Sequence, residues 1–143
     1  MIYFKYYYLF YILLFIMFAK YDYTNFPVVK IDLSGTIENN DDFLNFTNQW
    51  LKLYDNKKFF ELVFNTYNCG LINPKYCLYT AIFIKKIKQK KIQYLKKSTI
   101  YVYNKYIFHL LKIIFFIEKP VAPVSIIFYN KLNNSSITEI INI

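Results

Sequence analysis

Residues 59 to 103 set the tightest limit on what this chain can become, because they read in succession as strand, glycine turn, long apolar helix, lysine run and strand. Phe59 to Asn65 is apolar on both faces, the pattern of an interior parallel strand. A nine-residue loop from Thr66 to Pro74 follows and holds Gly70. Pro74 suits the first position of a helix, where a missing N–H costs nothing. That helix spans roughly 74 to 92, apolar nearly all round to Ile84 and lysine-rich beyond it. Ser98 to Tyr103 is the next strand, so the segment is a β-α-β unit and commits the chain to an α/β layer architecture.

The flanking sequence extends the alternation. Pro27 to Leu33 reads as a strand closed by Ser34-Gly35, and Asn39 to Asp42 supplies N-cap candidates with carboxylates in the first turn. Phe43, Phe46, Trp50, Leu53 and Tyr54 recur at helical spacing over 41 to 54, which makes Trp50 a core anchor. Asn104 can cap a helix to Ile117 on which Lys105, His109 and Lys112 share a face, while the other faces carry more apolar surface than one sheet covers. Pro123 to Tyr129 is a fourth strand, and Asn130 to Ile143 an Asn- and Ser-rich tail, at most a short frayed helix. Right-handed crossovers then predict one small α/β domain over 24–130 with a mainly parallel four-stranded sheet flanked by helices. An apolar segment precedes it at 1–20, and a polar tail follows at 131–143.

The amino-terminal run has only Lys5 charged before Lys20, and its unbroken apolar stretch, Tyr6 to Ala19, is fourteen residues. A spanning helix needs about 20. Three readings are open: a membrane anchor, since Phe18-Ala19-Lys20 lacks a small-x-small cleavage pattern; an extension translated from an upstream start codon; or an extra strand or helix packed on the domain.

Charge is the other strong signal. The formal net charge is +9 and all 18 basic residues are lysine. Phe, Tyr, Ile, Lys and Asn fill 84 of 143 positions, a bias that a large DNA virus or another AT-rich genome produces through its codons. The lack of Arg argues against bidentate recognition of phosphate or guanine. General attraction to polyanions, either anionic lipid headgroups or nucleic acid, remains through Lys85, Lys86, Lys88, Lys90, Lys91, Lys96 and Lys97, seven lysines in thirteen residues with no acid among them. A solvated helix end, where cations suit the dipole, explains the same run. Tyr94, Tyr101 and Tyr103 are stacking faces under the nucleic-acid reading and sheet packing otherwise.

Residues for chemistry are sparse. The single His109 lies between two lysines without a local carboxylate, and two glycines 35 residues apart cannot form a phosphate-binding loop. Cys69 and Cys77 read as free buried thiols, and Glu38, Asp41 and Asp42 fit helix capping better than a cation site. The expectation is a noncatalytic chain with no cofactor, no metal site and no small-molecule substrate.

Phe26 to Ile37 (FPVVKIDLSGTI), the strand Phe59 to Asn65, the glycine loop, the long helix and the strand-helix-strand of Ile100 to Phe128 together resemble a STAS domain, the fold of bacterial anti-sigma-factor antagonists and anion-transporter tails. The resemblance covers roughly 24 to 130 and includes Gly35 after the first strand and Asn65 where that family commonly has Asp. It implies a noncatalytic domain for binding a protein partner or sensing a nucleotide. Its surface would be formed by Thr66, Tyr67, Asn68, Asn73, Lys75 and Tyr76. In the antagonists a phosphorylated Ser precedes the long helix; here Ile72-Asn73-Pro74-Lys75-Tyr76 has no hydroxyl at that position, so the phospho-switch is not implied. The leading expectation is thus a STAS-like protein-binding domain, tethered to a membrane where residues 1–20 serve as an anchor. The alternative is a polyanion-binding module, and a third reading gives the surplus apolar face of the last helix to a lipid or small ligand.

Overall fold

A computed structural model describes residues 2–129 and 137–143. A leading helix α1 (Ile2–Ile16) is followed by β1 (Ala19–Asp22), β2 (Val28–Gly35), α2 (Asn40–Leu53), β3 (Phe60–Cys69), α3 (Lys75–Lys88), β4 (Leu95–Val102), α4 (Lys105–Ile117), β5 (Val124–Tyr129) and β6 (Ile137–Asn142). The strands form one six-stranded sheet in sequence order. β2 to β5 are mutually parallel, while β1 pairs antiparallel with β2, and β6 antiparallel with β5.

The sheet is therefore mixed and larger than the four parallel strands expected. Both additions come from outside the expected strands: β1 begins in the apolar segment, for which an extra strand is one open reading, and β6 lies in the tail. Ala19 to Asp22 folds back on β2 through a turn in which Phe26 N–H donates to the Tyr23 carbonyl at 3.1 Å. The end of the tail is strand, not frayed helix, because Ile137, Ile140 and Ile141 are β-branched and pair along β5. Asn130 and the stretch from Lys131 to Ser136 lie outside the described residues.

Because every right-handed crossover steps the same way along the sequential strand order, α2, α3 and α4 share one face of the sheet. Alternation along the strands records this: Phe60, Leu62 and Phe64 of β3 are buried beneath the helices, and Glu61, Val63 and Asn65 are half-buried on the opposite face. Trp50 occupies the anchor position its spacing predicts, with ring centroids 5.3 Å from Phe83 and 5.5 Å from Phe64. Tyr21 joins the hairpin to this layer by donating its hydroxyl to the Phe46 carbonyl at 2.7 Å.

The caps follow the sequence. Asn39 accepts the Asp42 N–H at 2.9 Å, and the Asp42 carboxylate accepts the Glu38 N–H at 3.0 Å, a reciprocal arrangement that explains this acidic cluster as a helix start. Asn104 accepts the Ile107 N–H at 2.8 Å, so α4 begins and ends where it was predicted to.

Residues Ile2 to Leu9 of α1 are all exposed. Its 15 residues correspond to about 22 Å, and no helix among the described residues is long and apolar enough to cross a membrane. Phe18 and Ala19, counted within the apolar segment on sequence, are buried in the domain.

Candidate functional site

With one layer of helices, the two ends of the parallel strands are the places where connections from different parts of the chain converge. The carboxyl-terminal end is built on contact between the only two glycines. Gly70 N–H donates to the Gly35 carbonyl at 2.6 Å, and a Cβ on Gly70 would sit 3.3 Å from that oxygen. Gly35 has φ +70°, which an L side chain rarely adopts. The loop from Gly70 to Pro74 is also held by hydroxyls: Thr36 donates to the Leu71 carbonyl and Tyr106 to the Ile72 carbonyl.

β3 runs to Cys69, four residues past the expected strand end at Asn65. This shortens the presumed loop and moves several residues of the predicted partner surface. Tyr67, Asn68, Asn73 and Lys75 are exposed. Thr66 and Tyr76 are buried and do not form surface, a correction to the expectation. Thr66 points to the helix side of the strand, where its hydroxyl donates to the Tyr101 carbonyl at 2.7 Å. Tyr76 packs against Phe43 at 5.5 Å, with the Lys75 ammonium 5.1 Å from its ring centre.

Sequence reasoning missed the feature that dominates this end. Tyr67 meets Tyr103 edge-on at 5.1 Å, Tyr103 stacks on Tyr129 at 5.4 Å, and Tyr129 stacks on Tyr101 at 6.1 Å. Burial pushes the Tyr103 hydroxyl pKa upward, with help from Tyr129, Tyr101 and Tyr67. The alternation of Tyr101 and Tyr103 was visible; that Tyr67 and Tyr129 flank them depends on strand register.

The amino-terminal end carries the lysines. Lys85, Lys86 and Lys88 occupy the last turn of α3, Lys90 and Lys91 the following turn, and Lys96 and Lys97 the start of β4. The fold adds Lys57 and Lys58 before β3 and Lys119 before β5, which sequence reasoning had not joined to the run. Across the connections 54–61, 85–97 and 117–124 there are thus ten lysines against Asp55, Glu61 and Glu118. Lys88 pairs with Glu118, and Lys97 lies 3.8 Å from Glu61. Lys96 sits 4.7 Å over the Phe59 ring and Lys90 5.7 Å over Tyr54. Lys85, Lys86 and Lys91 are exposed.

These two ends are separated by the length of a strand, about 25 Å for eight residues. α1 enters at the carboxyl-terminal end, where Ser34 N–H donates to the Phe18 carbonyl at 2.8 Å and Ala19 faces Leu33. α1 and the lysine surface thus lie toward opposite ends of the sheet.

The remaining candidates are scattered. His109 is exposed on α4 beside Phe108, and no group of three metal-ligating side chains occurs among the described residues. Both thiols are free and buried. Burial pushes the Cys69 pKa up to about 11 and raises that of Cys77, so each stays protonated, unlike an activated nucleophile.

These features define a two-layer α/β domain with one helix-covered sheet face and chemically opposite strand ends. No protein-family model, curated protein or solved structure matches this chain.

Proposed function

We propose that the chain is a noncatalytic, STAS-like binding domain that docks a protein partner at the carboxyl-terminal end of its sheet. The observation that carries the reading is the Tyr67–Tyr103–Tyr129–Tyr101 cluster, at the same end of the sheet as the loop of exposed Leu71, which Gly35, Thr36 and Tyr106 pin. Tyrosine gives large contact area with few rotamers to freeze, and partners bind best where such anchors are already ordered. The test is affinity capture with the full chain, followed by mass spectrometry, beside a Tyr67→Ala/Leu71→Asp variant of unchanged melting temperature. A partner retained by the wild type and lost by the variant supports the proposal; a partner indifferent to the variant sinks it.

The second reading is a polyanion-binding module, favoured by the ten lysines that three connections bring to the amino-terminal end. Nucleic acid and anionic membrane make the same demand on such a surface, and counterion release makes the affinity fall steeply with salt. A flat salt dependence on heparin, single-stranded RNA and anionic vesicles would remove this reading.

A further inference from the structure

The interior between the sheet and the three packed helices is not filled. A cavity of about 130 Å³ runs between Phe64 and Ile100 on the sheet side and Trp50, Ile84, Leu110 and Ile114 on the helix side. Protein interiors seldom keep a void larger than a water molecule. An engineered apolar cavity of about 150 Å³ in another protein stays dry and takes up benzene.

Its lining includes no charged residue, so a charged guest would lie unpaired in an apolar medium. The hydroxyls that line it are those of Thr66, which donates to the Tyr101 carbonyl, Thr80, which donates to the Tyr76 carbonyl, Ser98 and Tyr76. Tyr76 is different. Its residue is 3% exposed, it lines the cavity, and its hydroxyl has no hydrogen-bond partner, a lack it shares with the indole N–H of Trp50 in the same lining. A buried donor left unmade is costly, and native structures rarely tolerate one without a reason. Several lining residues keep partial exposure, Leu111 and Phe115 on α4, Ala122 after it, Ile72 before α3, and Leu33 and Thr80 elsewhere, so the cavity is not sealed from solvent.

We propose that this cavity binds a small, neutral, mainly apolar molecule with one acceptor oxygen, to which the Tyr76 hydroxyl donates. The cavity lies in the interior between the two strand ends, with Cys69, Ile72 and Tyr76 lining it toward one and Leu95, Pro120 and Ala122 toward the other.

Acetophenone and ethylbenzene test this, since they share a skeleton and differ at one carbonyl. Titrated into the full chain and followed by methyl resonances, both should bind saturably and shift Ile100 and Leu110. Tyr76→Phe should weaken acetophenone about fivefold, the worth of one ordinary hydrogen bond, and leave ethylbenzene within about twofold. Ala122→Phe, which adds a ring to the cavity lining, should block both, and this variant decides the matter if Tyr76→Phe does not fold. No shift of the lining methyls, equal weakening of both probes by Tyr76→Phe, or unimpaired binding by Ala122→Phe would each overturn the proposal.

Discussion

The two ends of the sheet handle the same helix dipoles in opposite ways. At the carboxyl-terminal end, where helices begin, the orphan N–H groups are taken by asparagines: Asn39 and Asn104 cap α2 and α4, and Asn73 accepts the Lys75 N–H at 3.0 Å. Charge is nearly balanced there, with Glu38, Asp41 and Asp42 against Lys75 and Lys105. At the amino-terminal end, where helices finish, lysines occupy the last turns of α2 and α3. The dipole explains their sign. It does not explain ten of them, since the favourable effect decays within the last turn. One end is thus fixed by glycine contact and aromatic packing, and the other carries exposed charge, which is why substitutions should separate binding from stability.

The largest expected effect is at the lysine end. Lys85→Glu/Lys86→Glu/Lys91→Glu reverses three exposed cations and should reduce affinity for anionic vesicles at low salt by about 100-fold, at roughly 1 kcal/mol per cation near such a surface. Its melting temperature should hardly move, since surface changes cost at most about 0.5 kcal/mol each. Vesicle cosedimentation against salt measures the first, and a thermal melt the second.

Gly35→Val reverses the contrast. It forces a β-branched residue to the positive φ of Gly35 and should destabilise by about 1–2 kcal/mol in a urea titration while leaving polyanion affinity unchanged. If stability is unaffected, the glycine contact is not what fixes this end.

Cys69, opposite Gly35 in register, gives a pH test of the same end. Its folded thiol is raised from 9.0 to about 11, so the folded state holds the proton more tightly than the unfolded chain does. This stability is fully present below about pH 9 and is lost as pH rises through 11, amounting to about 1 kcal/mol by pH 10. Cys69→Ala should make that part of the stability profile less steep, leaving the share of the buried tyrosines. An unchanged slope would show that the thiol is more hydrated than its burial implies.

The smallest effect belongs to Lys57, which sits at φ 52° on the lysine end. Lys57→Gly removes the left-handed penalty and should stabilise the domain by about 0.5–1 kcal/mol, visible as a higher urea midpoint. The two positive-φ positions should then respond with opposite signs, one already glycine and one not.

Much of the fold was legible because its signals are local. The Phe43–Phe46–Trp50 stripe, the Asn39 and Asn104 caps and the apolar run into β3 each depend on residues within a few positions of one another. The edge strands were not, since β1 and β6 are short pieces that become strands only by pairing with β2 and β5. The site divides in the same way. The seven-lysine run was visible as charge, while Thr66 and Tyr76 were misplaced because strand length and helix phase, not residue type, decide which face a side chain takes.

By itself, then, the sequence determined an α/β alternation, the helix starts and a strong positive bias, all through contacts short enough to be encoded in neighbouring residues. The tertiary structure alone decided that two glycines 35 positions apart touch, that Tyr67, Tyr101, Tyr103 and Tyr129 share one surface, and that Tyr76 lines an unfilled interior. Each of these depends on register between distant segments, which is fixed only when the sheet closes and the helices settle against it.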